Sequence, residues 1–240
     1  MKRIMTKGLL LAALSVFFAS AAFAALSEEQ HTRYWEKDKN YRVMYDLYDV
    51  ALMNAYNLLE EAAFQALEKD NAAAVEKNAQ SAAAAGKDEA AAYAFAYGRQ
   101  ILQINKLIAP ELSGNDPLAG FYALRSDTLE GYMTAAKGGE DEPCELEFVV
   151  WSKAEPATFG RSWARVAALT QSFSTSSVQN PKDLEQNDDA NLQIAVVIEG
   201  GSATVKTTEA FRKGGYVTAG MGEEYAKSAL DISGTYVFEK

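Results

Sequence analysis

The chain has 240 residues, 48% of them hydrophobic, and a formal net charge of −10. Such an acid surplus repels phosphate backbones and anionic lipid surfaces, which sets nucleic-acid binding aside and favours a basic partner. One histidine and one cysteine rule out a histidine-rich metal site and an intramolecular disulfide, so stability has to come from burial.

Met1-Lys2-Arg3 and Lys7 make a basic start, and residues 8–19 an apolar run shorter than the roughly 20 residues a bilayer span needs. Ala22-Phe23-Ala24 then supplies a small-x-small cleavage pattern. Residues 1–24 are therefore expected to be a secretory signal peptide cut near Ala24, leaving a periplasmic or secreted chain not embedded in a membrane. Without Lys2, Arg3 and Lys7 the formal charge is about −13. No cysteine follows the cut, so no lipid anchor is expected.

Residues 25–109 read as helical, since Ala, Glu, Lys, Leu and Gln dominate and strong turn signals are scarce. Ser27-Glu28-Glu29-Gln30 is a capping-box pattern. Tyr41, Met44, Tyr48, Ala51, Ala55, Leu58 and Ala62 then recur at helical spacing, which predicts one long first helix with an apolar stripe. The alanine-rich tract 71–85 predicts a short, weakly packed helix ended by Gly86. Asp88 is placed to cap a third helix, with Tyr93, Tyr97, Ile101, Ile104 and Ile108 in period and Pro110 as its stop.

Residues 110–117 collect turn formers and read as a linker. Beyond it, short β-branched and aromatic runs alternate with Gly, Asn and Asp clusters. Strands are expected at 120–125, 130–135, 145–151, 192–199, 203–208, 216–219 and 234–239. Gly200-Gly201-Ser202 marks the clearest hairpin, because adjacent glycines accept the positive φ of tight turns. Residues 160–174 fit a helix or a strand, and the Ser/Thr-rich continuation favours strand. A long polar loop is expected over 178–191. This many short strands in residues 118–240 predict a small antiparallel β-barrel or curved sheet. The fold class is thus α+β, with a helical hairpin or three-helix part ahead of the β-domain.

The motifs Leu118-Ala119-Gly120-Phe121-Tyr122, Glu130-Gly131-Tyr132, Cys144 before Glu145-Leu146-Glu147-Phe148, and Ile232-Ser233-Gly234-Thr235-Tyr236 follow in that order. Residues 118–240 thereby resemble small bacterial periplasmic β-domains that open on a Gly-x-Tyr strand and close on a Gly-Thr-Tyr strand. Such domains occur in uncharacterised secreted proteins and beside lysozyme-inhibitor-like modules of the LprI and MliC kind. The resemblance implies a noncatalytic binding or inhibitory role. Those domains often pair the cysteine at the position of Cys144 with one ahead of the closing strand. Here that place holds Ala219-Gly220-Met221-Gly222, so the bridge is missing.

The residues themselves offer little catalytic chemistry. His31, at the start of the first helix, is expected to be solvated. Gly160-Arg161-Ser162-Trp163-Ala164 has the outline of a nucleophile elbow but lacks the strand-turn-helix setting. Asn187, Asp189 and Asn191 alternate as calcium ligands do, yet Leu192 and Ile198 stand where a calcium loop needs Gly and Glu. No metal or cofactor is expected, and the protein is not expected to be an enzyme. Glu140, Asp141, Glu142, Asp188 and Asp189 are the first candidates for contact with a basic protein such as a lysozyme. Cys144 is either a buried small hydrophobe or an intermolecular thiol. Of the crowded aromatics Tyr34, Trp35, Tyr41, Tyr45, Tyr48 and Tyr56, most belong to the core and any exposed ones are recognition candidates. An envelope scaffold that self-associates through its helices is the alternative, and a carboxylate-based hydrolase a more distant one.

Overall fold

The computed structural model describes residues 26–114, 116–138, 143–178, 193–207 and 230–239. Among these residues four helices, α1 (Glu28–Lys37), α2 (Lys39–Leu58), α3 (Glu61–Ala84) and α4 (Glu89–Ser113), precede eight strands. The strands are β1 (Gly120–Leu124), β2 (Leu129–Ala136), β3 (Cys144–Ser152), β4 (Phe159–Val166), β5 (Ser172–Val178), β6 (Gln193–Glu199), β7 (Ser202–Thr207) and β8 (Gly234–Glu239). Each strand pairs antiparallel with its chain neighbour, and β8 pairs with β1, so the sheet closes into a barrel in the expected α+β arrangement.

The helical part is divided more finely than its periodicity predicts. The capping box forms, with Ser27 Oγ accepting from Gln30 N and Gln30 Oε1 accepting from Ser27 N. The helix then breaks at Asp38, whose extended backbone lets its carboxylate accept from Tyr41 N at 2.9 Å and cap α2. A second break follows, because Leu59 and Glu60 are both extended. Leu58 and Ala62, the last members of the predicted stripe, are consequently exposed. The alanine-rich tract is not a short separate helix but the second half of α3. It rides on a stripe of Phe64, Leu67, Asn71, Val75, Ala79 and Ala82.

Pro110 does not stop α4. It sits in the last turn, where its missing N–H removes a single helical bond, and the helix runs on to Ser113 before Gly114 turns left-handed. α4 is the central helix: α2 and α3 both pack along it, and its remaining face lies on β1 and β2. No helix among the described residues is long and apolar enough to cross a membrane.

Alternation in the barrel is clearest at the start of β3, where Cys144 and Leu146 point inward and Glu145 and Glu147 outward. It lapses afterwards because the helices bury the outer face as well. Phe121, Tyr132, Val149, Trp151 and Phe159 join the helical core, while Tyr122, Met133, Phe148, Val150, Val196 and Tyr236 fill the inside. The two glycine-tyrosine motifs become neighbouring strands, with Tyr122 opposite Phe238 and Leu124 opposite Tyr236. Both tyrosines reach back four residues, the Tyr122 hydroxyl donating to Leu118 O at 2.8 Å and that of Tyr236 to Ile232 O at 2.6 Å.

The hairpin of β6 and β7 turns on Gly200 and Gly201, with φ of 57° and 79°, while Ser202 already pairs with Glu199. The ambiguous stretch 160–174 is extended, but as parts of two strands separated by a corner. The predicted strand at 216–219 and most of the loop at 178–191 lie outside the described residues.

Candidate functional site

The acids named first from the sequence, Glu140, Asp141, Glu142, Asp188 and Asp189, lie outside the described residues. Cys144 is 6% exposed and packs in the barrel core, as a small hydrophobe does. The Gly160–Ala164 outline falls in the middle of β4, with Ser162 buried and facing inward like its neighbours two residues away, which is not the setting of a nucleophile elbow.

His31 corrects an expectation. It is half-buried rather than solvated, with Nδ1 2.7 Å from the Tyr41 hydroxyl and its ring 4.5 Å from that of Tyr45. Burial lowers its pKa. The crowded tyrosines are mostly core: Tyr41, Tyr48, Tyr93 and Tyr97 form one ring cluster between α2 and α4. Burial pushes the Tyr41 hydroxyl up to about 12. The Tyr93 hydroxyl donates to Glu76 at 2.7 Å and ties α4 to α3, and Tyr34 makes the matching bond from α1 to Glu89.

A second polar cluster lies where the helices meet the barrel. Arg161 donates through Nε and Nη2 to Glu147 at 2.8 and 2.7 Å, and its guanidinium stacks 4.2 Å from the Trp163 ring centre. The buried Tyr132 hydroxyl lies close to Glu147 and to Asn105 of α4. All these groups find partners inside the protein, which is the behaviour of a structural network.

The outer face of α2 is more open to solvent. Arg42, Asp46, Asp49, Met53 and Tyr56 follow one another at helical spacing, and none belongs to the buried set of this helix. Between Val43 and Glu68 the chain holds Asp46, Asp49, Glu60, Glu61 and Glu68 but no Lys or Arg. Trp35 of α1 closes the upper end, donating from Nε1 to Asp46 at 3.3 Å, with Arg42 over its ring. At the lower end Tyr56 rests edge-on against Phe64 of α3 with ring centres 5.2 Å apart, and Glu60 and Glu61 follow, exposed. Trp35, Met53 and Tyr56 are 39%, 36% and 46% exposed.

Asp49 is the distinctive member. It is half-buried, faces Tyr45 and Tyr48 of its own helix with Asp46 nearby, and Glu68 of α3 adds its charge beside Tyr48. No Lys or Arg forms an ion pair with it among the described residues. Burial raises its pKa.

No protein-family profile, curated protein or solved structure matches the chain. From Asp46 to Glu61 the chain is acidic, with Met53 and Tyr56 exposed between the carboxylates. The acid-only run was the signal in the sequence that would have found it. It was masked because Tyr41 and Tyr48, on the same helix, mark the opposite face.

Asp49 yields a stability prediction. A carboxyl whose folded pKa is raised supports folding below its unfolded pKa, and that support is lost as pH rises through the folded value. Asp49→Asn should therefore raise the melting temperature at neutral pH, with the gain shrinking as the pH is lowered toward the carboxylate range. Thermal melts of both proteins across pH check it; an equal or lower melting temperature for the variant at pH 7 contradicts it.

Proposed function

We propose that this is an exported, noncatalytic protein-binding module that recognises a basic protein partner, with a lysozyme inhibitor as the nearest functional analogy. The observation that carries this reading is the stretch from Asp46 to Glu61, across the end of α2 and the start of α3, which holds four acids and no basic residue and includes exposed Met53 and Tyr56. Interfaces gain specificity and association rate from complementary charge, and binding energy from a few large anchors. The export-like sequence of residues 1–24 and the resemblance of the β-domain to periplasmic modules agree with it.

The test is a binding assay of residues 25–240 against c-type lysozyme and a cell-envelope extract, across a salt series. Binding that weakens by about an order of magnitude between low and physiological salt, with loss of lysozyme activity, is the expected result. Recovery of the protein's own copies alone would move the reading to an envelope scaffold.

A further inference from the structure

We propose that α1 is a pH-released strap: protonation of His31 breaks the hydrogen-bond relay that seats this helix on α2, and α1 swings away about Asp38. The proposal stands apart from the binding reading above.

α1 is lightly held. None of its residues belongs to the buried core, although Leu26 just ahead of it does. The rest of its hold is polar and aromatic. Gln30 Nε2 donates to Glu89 of α4 at 3.3 Å, the Tyr34 hydroxyl donates to the same carboxylate, and Trp35 Nε1 donates to Asp46 of α2. Asp38 is extended and its carboxylate caps α2, so rotation there moves α1 without unwinding either helix.

His31 is placed at the centre of this contact. Its Nδ1 lies 2.7 Å from the Tyr41 hydroxyl, which in turn lies 3.4 Å from that of Tyr97 on α4. With the imidazole neutral, Tyr97 can donate to Tyr41 while Tyr41 donates to Nδ1. A protonated Nδ1 can only donate, so the Tyr41 proton must turn away from it. Toward Tyr97 that proton meets an oxygen beyond the ordinary range of an O–H···O bond. Tyr41 is fully buried, so water does not supply the missing acceptor. The imidazolium would also be held against the Tyr45 ring in a half-buried site, where burial penalises its charge.

The groups facing His31 set the sign. Tyr41 and Tyr45 of α2 and Tyr97 behind them have hydroxyls pushed up by burial, Tyr41 to about 12, and stay neutral wherever His31 titrates. The charged groups around them are Glu28, Glu29 and Arg33 of α1, Asp38, Arg42, Asp46 and Asp49 on the side of α2, and Glu89 of α4. Asp49 works in the opposite direction, because burial raises its pKa and its protonation supports folding. His31, lowered by burial, binds its proton more tightly when α1 is released. Docking is therefore complete above the ordinary histidine value of 6.5 and weakens as the pH falls below it.

The experiment follows isotope-labelled residues 25–240 by NMR from pH 7.5 to 5, reading the titration of the one histidine and the hydrogen exchange of α1 corrected for its intrinsic rate. The expected result is about a tenfold loss of protection in α1 while α4 keeps its own, with His31 titrating below 6.5. His31→Gln should remove the pH dependence. Tyr41→Phe keeps the ring and the histidine but deletes the relay, so His31 should titrate closer to 6.5 and α1 should respond less to pH. That second variant decides the matter if His31→Gln leaves α1 undocked at every pH. Unchanged protection of α1 across the range, the same loss in His31→Gln, or a His31 titration at or above 6.5 overturns the proposal.

Discussion

Alanine at position 131 is expected to cost about 3 kcal/mol or more and to leave a barrel that fails to close. Gly131 lies opposite Val150 in the β2–β3 ladder. A Cβ there would sit 2.2 Å from the carbonyl oxygen of Val149 and 2.7 Å from the Cα of Val150. Those are backbone atoms, so no rotamer change can clear them; the two strands must part. They cannot part alone, because β2 also pairs with β1 and carries Tyr132 into the helical core. Since a domain of this size is stabilised by only about 5–15 kcal/mol, the loss is a large share of the whole. Urea unfolding of the variant measures it. A midpoint within experimental error of the parent would show that the strands do not approach as closely as described.

Much of this barrel can be read in advance because short strands carry their own punctuation. The Gly200-Gly201 turn fixes the β6–β7 register, and the limits of β8, residues 234–239, follow from a β-branched and aromatic run beginning at glycine. Helical boundaries are less legible, for a physical reason. Apolar periodicity reports which face is buried, and the stripe from Tyr41 to Ala62 runs on through Leu59-Glu60, where two extended residues suffice to turn the chain. Pro110 misleads in the opposite sense, since a proline in the last turn costs one bond that the remaining packing of α4 tolerates. The candidate surface was half-legible: Trp35 and Tyr56 stand out as aromatics, but their exposure depends on where α1 docks and where α2 ends. His31 shows the same dependence, being half-buried because α1 folds back onto Tyr41 and Tyr45.

The outward-facing polar residues of β3 and β4 look in sequence like a solvated strand face. In the folded protein the helices cover part of that face, which turns Glu147 and Arg161 into a pair with side chains 12% and 8% exposed. Glu147→Ala is expected to destabilise the protein by about 3–5 kcal/mol, because it strands a guanidinium where water cannot replace the lost carboxylate. The loss extends beyond the pair. Glu147 also lies beside the Tyr132 hydroxyl, itself close to Asn105 of α4, so the variant loosens the seat of the central helix on the barrel. Replacing both charges, Glu147→Met with Arg161→Met, should recover most of the stability, since removing a buried pair together avoids the uncompensated charge. A double-mutant cycle read by urea unfolding, with near-ultraviolet circular dichroism reporting on Trp151 at the interface, separates the two contributions. If Glu147→Ala costs less than about 1 kcal/mol, the pair behaves as a surface ion pair and the helices do not cover that face in solution.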